Sequence, residues 1–188
     1  MVINGNQPPQ ANEETKEQSQ GYAVTPNTTC TGETTKLPRT KHRHVWYVTG
    51  PAGCGKTTVA SYMAGRFSMP YLEGDTFHPP ANISKMAAGY PLTDSDRWDW
   101  LARVRDAAVS TLSSRPHNHL VTCSALKHSY RDMLRSVPAS SGIKVHFVYL
   151  ALSEEVLFRR VRERVGHYMK ESMVRSQIEV LEEPGEGE

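Results

Sequence analysis

The octapeptide Gly50-Pro51-Ala52-Gly53-Cys54-Gly55-Lys56-Thr57 sets glycines, a lysine and a hydroxyl at the spacing of a phosphate-binding loop. An apolar run, Val45-Trp46-Tyr47-Val48, precedes it and an amphipathic run beginning near Lys56 and Thr58 follows as far as Phe67, so the context is strand, glycine-rich loop, helix. A backbone that curls around an anion with its N–H groups inward passes through conformations that a Cβ obstructs, which explains the glycines. The start of the following helix adds unpaired N–H groups and a positive dipole end at the same place. Lys56 is then placed to reach the β and γ phosphates of a nucleoside triphosphate, and the Thr57 hydroxyl to meet a magnesium ion.

Four further groups of residues could do chemistry beside such a loop. Asp75, in Glu73-Gly74-Asp75 after a second apolar run, could accept the proton of an attacking hydroxyl or hold magnesium through water; its plainer alternative is an Asp in a turn. His78 stands before Pro79 and Pro80, where it either contacts a ligand or shapes the loop. Lys127 and Arg131 are four apart, a helical spacing at which like charges repel by a few tenths of a kcal/mol, so an anion between them is expected. Arg159, Arg160, Arg162 and Arg164 crowd a helix leading into Gly166-His167-Tyr168-Met169. Such a helix suits a lid that brings arginines down on a nucleotide and keeps water out; a surface for another molecule is the alternative.

The elements that must position these groups are legible from periodicity. On the first helix, Val59, Tyr62, Met63 and Arg66 share one face and Ala60, Ala64 and Phe67 the next. Residues 69–73 form the expected second strand, Asn82 the cap of a short helix through Met86, and Thr93 with Asp96 a capping-box-like start for a helix over 95–112. Leu101, Val104, Ala108 and Leu112 should face the core. A strand over 119–123, a helix over 125–135, a strand over 143–152, a helix opened by Ser153 and a last helix over 171–181 complete the pattern. Alternating strands and helices imply an α/β fold with a parallel sheet covered on both faces. Ligands of such sheets bind beyond the carboxyl ends of the strands, which would gather the loop, Asp75, His78, Ser124 and Lys127 around one crevice.

Composition limits the rest. Of the 188 residues, those in 1–44 are polar and almost free of large apolar side chains, so a disordered tail precedes a domain over 45–188. Glu13, Glu14 and Glu17 argue against a mitochondrial presequence, and the segment has no apolar signal core. A net charge of +2 and a pI near 8.4 are too mild to point to nucleic acid. No stretch is long enough to span a membrane. Three cysteines, Cys30, Cys54 and Cys123, fit neither a zinc site nor a disulfide framework and suit a reducing, cytoplasmic setting. The pairs His42/His44 and His117/His119 lack further ligands at metal-binding spacing.

With these residues in view, the chain resembles the gluconokinase family. The resemblance rests on the Gly50–Thr57 loop, Glu73-Gly74-Asp75 with His78-Pro79, Asp94-Ser95-Asp96-Arg97, Cys123-Ser124-Ala125-Leu126-Lys127 with Tyr130-Arg131, Gly166-His167 and Leu181-Glu182-Glu183-Pro184, in that order. It implies a P-loop, nucleoside-monophosphate-kinase-like fold with a helical lid over about 159–183. It also implies ATP- and magnesium-dependent phosphorylation of D-gluconate at its 6-hydroxyl, feeding the pentose phosphate route. By that resemblance Gly50, Pro51, Ala52, Gly53, Cys54, Gly55, Lys56, Thr57, Thr58, Arg159 and Arg162 bind ATP, with Thr57 on the metal. Asp75 and Lys56 are catalytic, and Asp75, His78, Arg97, Lys127, Arg131 and His167 hold the sugar acid. Partners implied are gluconate and, as an open assembly state, a second copy in a homodimer, with no nucleic acid or membrane. Family members continue past the Leu-Glu-x-Pro segment with a further strand and helix, so a sheet short of its last strand is expected. That raises the alternative of a non-catalytic nucleotide-binding module; a kinase for shikimate, adenylylsulfate or a nucleoside monophosphate is another. The absence of an Asn-Lys-x-Asp motif argues against a signalling GTPase.

Overall fold

The computed structural model describes residues 34–37, 40–114, 118–163 and 171–185. Its centre is β1 (Arg43–Thr49), in which Val45, Tyr47, Val48 and Thr49 are all buried. Burial on both faces follows from the pairing. β3 (Asn118–Thr122) runs parallel along one side, β4 (Ile143–Tyr149) parallel along the other, and β2 (Tyr71–Glu73) lies outside β3. The order β2-β3-β1-β4 gives the P-loop strand two neighbours and leaves β2 and β4 at the two edges among the described residues.

Side-chain parity decides what covers each face. Val45 and Tyr47 join Val121 of β3 against α3 (Asp94–Ser114) and α4 (His128–Arg135), with Trp100, Leu101, Val104, Ala108 and Leu112 of α3 and Leu134 of α4 buried there. The four α3 positions expected in the core are therefore in it. Val48 and Leu120 face the other way, onto α1 (Lys56–Phe67), where Ala60 and Ala64 let the helix approach the sheet closely. A third cluster joins Cys54 of the P-loop to Leu157 of α5 (Glu154–Glu163) and Val174 of α6 (Glu171–Glu179), so these two helices are packed directly on the loop.

Several boundaries differ from expectation. α2 (Pro80–Ala87) starts with Pro80 in its first turn, where a missing N–H costs nothing. Asn82 thus lies inside the helix rather than capping it, is buried, and donates from Nδ2 to the Asp96 carbonyl at 2.7 Å. Asp96 does accept the N–H of Thr93 at 2.7 Å, the side-chain half of a capping box, and it takes the Thr93 hydroxyl at 2.7 Å as well. α4 begins at His128, not near residue 125, because Ala125 takes a left-handed conformation (φ 42°) and Lys127 is extended. The last helix ends at Glu179. The ordered part also reaches into the segment assigned to a polar tail: Thr35 donates its N–H to the Arg66 carbonyl at 2.9 Å, and Leu37 packs against the α1 cluster. No described helix is long and apolar enough to cross a membrane.

His119 sits 1% exposed in β3, and neither of its ring nitrogens meets a hydrogen-bond partner among the described residues. Burial pushes its pKa from 6.5 down to about 4. The unfolded chain therefore takes up this proton first, so the stability that the neutral ring allows is complete above the unfolded value and is lost as pH falls toward the folded one. Between about pH 7 and about pH 5 that loss amounts to about 2 kcal/mol. Urea denaturation at the two pH values should show His119→Leu losing about 2 kcal/mol less than the parent chain on acidification. An identical pH dependence in both proteins would contradict this.

Candidate active site

Two cavities open at the carboxyl ends of the strands. The larger, of about 930 Å³, is lined by the P-loop and the first turn of α1, by Glu73 and Asp75, by the end of β4 and by Arg160. The smaller, of about 70 Å³, is lined by His78, Arg97, Trp100 and Ser124 and by α6 through Gln177. Ala52, Lys56 and Asp75 line both. A group passed from one cavity to the other would cross between a lysine and a carboxylate.

The P-loop has the form its glycines permit. Gly55, at φ 99° and ψ 22°, hands the chain to α1, whose first turn has no side-chain cap, so its N–H groups are left for an anion in the cleft. Gly53 lies at φ 84° with Val161 of α5 so close that a Cβ would stand 2.9 Å from Cγ2. Lys56 Nζ donates to the carbonyls of Gly50 (2.9 Å) and Pro51 (3.1 Å), holding the loop closed on itself until a stronger acceptor arrives.

Asp75 is carried by the 3-10 turn Gly74–Phe77, which can lie on β3 only because residue 74 is glycine: a Cβ there would be 2.0 Å from the Thr122 carbonyl oxygen. The turn is pinned further by Gly74 N–H to Thr122 Oγ1 and by Trp100 Nε1 to the Gly74 carbonyl at 2.8 Å. The Asp75 carboxyl opens to cleft water while the cleft walls crowd it. That crowding and the neighbouring Glu73 raise its pKa, against the pull of Lys56. His78 is buried, stacked on Trp100 with centroids 4.1 Å apart, and burial together with Arg97 pushes its pKa to about 4. Its imidazole is therefore neutral near pH 7, leaving Arg97 and Lys56 as the cations that line the smaller cavity.

A model of the AAA domain family matches residues 45–184. A probable gluconokinase of Schizosaccharomyces pombe is 46% identical over 144 residues, covering 76% of this chain and 75% of the relative. The chain belongs to the gluconokinase family. Two solved structures agree in shape. A gluconokinase from Sinorhizobium meliloti 1021 gives a TM-score of 0.64 at 45% identity over 80% of each chain. An unliganded sugar kinase from Janibacter sp. HTCC2649 gives 0.69 at 39% identity, over 78% of this chain and 82% of its own.

In this gluconokinase family member the expected site residues fall into two groups. The loop from Ala52 to Thr58 lines the larger cavity, and Asp75, His78 and Arg97 line the smaller. Lys127 and Arg131 do not meet over a common anion. Lys127 is bound to the Asp94 carboxylate at 2.7 Å, and Arg131, 1% exposed, donates to the carbonyls of Ala125, Leu126 and Glu182. The repulsion read from their spacing is relieved by separate partners, and Arg131 braces the loop that carries Ser124. Of the α5 arginines, Arg160 reaches the P-loop, donating to the Cys54 carbonyl at 3.1 Å. Arg159 is exposed and lines neither cavity, while Arg162 donates to the Phe158 carbonyl and pairs with Glu171. His167 lies outside the described residues.

Glu73 is the residue that sequence reasoning passed over. It accepts from the hydroxyls of Thr57 (3.0 Å), Tyr71 and Thr122. A carboxylate beside the P-loop hydroxyl is an oxygen donor set of the kind magnesium takes when phosphates supply its other ligands. The available signal was its place at the end of β2, two residues before Asp75 on the same rim.

Proposed function

We propose that this chain transfers the γ-phosphoryl group of ATP to the 6-hydroxyl of D-gluconate, giving 6-phosphogluconate and ADP. The observation that carries the reading is that Lys56 and Asp75 stand on the walls of both cavities, one sized for a nucleotide and one to which Arg97 adds a second cation among hydrogen-bonding groups. The N–H groups of the P-loop and the first turn of α1 bind the triphosphate, and Arg160 reaches the loop from the lid. Magnesium, which Thr57 and Glu73 are placed to hold, neutralises charge on the phosphates when bound. Arg97 attracts the carboxylate of the acceptor, and neutral His78 offers a hydrogen bond rather than a charge.

In the transfer, the gluconate oxygen forms its bond to the γ-phosphorus as the bond from phosphorus to the bridging oxygen of ADP breaks. The hydroxyl proton passes to Asp75, and Lys56 stabilises the charge on the moving group. In such a loose transition state, positioning and charge neutralisation outweigh basicity.

ADP release from ATP and magnesium tests the reading. Gluconate should raise the rate by about two orders of magnitude or more over the rate without acceptor, while shikimate, adenylylsulfate and nucleoside monophosphates should leave it near that baseline. Equal rates with and without gluconate would remove the substrate assignment. Nucleotide binding with no turnover on any acceptor would favour a binding module instead.

A further inference from the structure

We propose that Gln177 of α6 is a two-ended clamp: its Oε1 holds the P-loop through the Ala52 N–H, and its Nε2 donates to an oxygen of the acceptor in the smaller cavity. The proposal rests on the reading of that cavity as the gluconate site. The end assignment follows from the chemistry of the contact. Ala52 N–H lies 2.8 Å from the Gln177 side-chain oxygen, and an N–H can be met there only by the oxygen, so Nε2 is the outward end.

The helix is held in this phase by its neighbours. Met173 and Val174 are buried, and Ile178 packs against the cluster that joins α5, α6 and the P-loop, which leaves Gln177 beside the cavity it lines. Ser176, the other polar residue α6 gives to that cavity, turns its hydroxyl to the Met173 carbonyl at 2.9 Å. Nε2 donates to no described residue, so it is the donor that α6 has to offer. Two N–H groups beside Arg97 suit hydroxyl and carboxylate oxygens, which a polyhydroxy acid presents along its length.

The contact at the other end gives the clamp a second consequence. Ala52 belongs to both cavities, and Lys56 grips the carbonyls of the two residues before it. An acceptor seated on Nε2 therefore stiffens the amide plane that fixes Ala52, and acceptor binding should favour the nucleotide-ready form of the loop. Such coupling is reciprocal: each ligand should tighten the other by the same factor.

Steady-state kinetics and calorimetry on Gln177→Met and Gln177→Glu test this. Methionine keeps the length but loses both ends, whereas glutamate keeps an oxygen for Ala52 and loses the donors. Both variants should raise the KM for gluconate about tenfold, while Gln177→Glu, which keeps an oxygen on Ala52, should bind the non-hydrolysable ATP analogue AMPPNP without gluconate within about threefold of the parent. In Gln177→Met the tightening of AMPPNP by gluconate should also vanish. A gluconate KM within about twofold of the parent in Gln177→Met, or its full restoration in Gln177→Glu, would reduce Gln177 to a prop for the loop and overturn the proposal. Thermal unfolding of both variants separates these results from a loss of fold. If the parent chain turns over no ATP with gluconate, the substrate reading falls and this inference with it; an active parent with unaltered variants removes the clamp alone.

Discussion

Lys56→Ala should lower kcat/KM for gluconate phosphorylation by about a thousandfold, a loss of about 4 kcal/mol of transition-state stabilisation. The size follows from where the ammonium group stands. Lys56 lines both cavities and donates hydrogen bonds to the carbonyls of Gly50 and Pro51. When a triphosphate fills the loop, those neutral acceptors are exchanged for charged ones, and charge-assisted hydrogen bonds are about twice as strong. Charge that builds on the moving phosphoryl group is met by a cation already in place, with no reorganisation at the moment of reaction. Initial rates of ADP release at gluconate well below its KM, with ATP saturating, would check the effect. Thermal unfolding would separate it from damage to the loop, because the hydrogen bonds lost are part-buried ones worth about 1 kcal/mol each. A fall of less than about tenfold with an intact fold would mean that Lys56 is not the group that meets the transferring phosphate.

What the sequence made legible, and what it did not, follows from how local each feature is. The P-loop is eight consecutive residues whose conformation their own glycines permit, so its place between β1 and α1 could be read directly. The core face of α3 was equally plain, since Leu101, Val104, Ala108 and Leu112 recur at helical spacing. The Lys127/Arg131 pair could not be read in this way. Its spacing records a repulsion, but the partners that relieve it come from elsewhere in the chain: Asp94 at the start of α3, and the carbonyls of the loop before α4 and of Glu182. Which of the α5 arginines faces the loop is a question of helical phase. Composition marks the helix as basic, yet only its packing through Leu157 and Val161 onto the P-loop turns Arg160, rather than Arg159 or Arg162, toward the Cys54 carbonyl. Gln177 carries no charge and belongs to no motif; its meaning is a single contact across 125 positions of sequence.

Asp75→Asn should separate activity from stability in one substitution. The amide keeps the shape of the carboxyl and its place on the Gly74–Phe77 turn but cannot take a proton from the acceptor hydroxyl. Loss of general-base assistance costs about 100- to 10,000-fold, so a fall in kcat of about a thousandfold is expected, with the KM for ATP little changed. The pH profile carries the sharper signature. Because crowding by the cleft and the nearby Glu73 hold the Asp75 pKa above its ordinary value, the acid limb of kcat/KM should lie at higher pH than an unperturbed aspartate would give, and Asp75→Asn should abolish it. Stability moves the opposite way. A carboxyl with a raised pKa in the folded state is, once ionised near pH 7, a charge that the fold holds at a cost, so its neutral amide should raise the urea midpoint there. That advantage should shrink as pH falls through the folded value toward the unfolded one, because the folded parent then takes up the proton as well. A variant that is slower, more stable near neutrality and flat in pH would identify Asp75 as the proton acceptor. One that keeps the acid limb would assign that titration to another group.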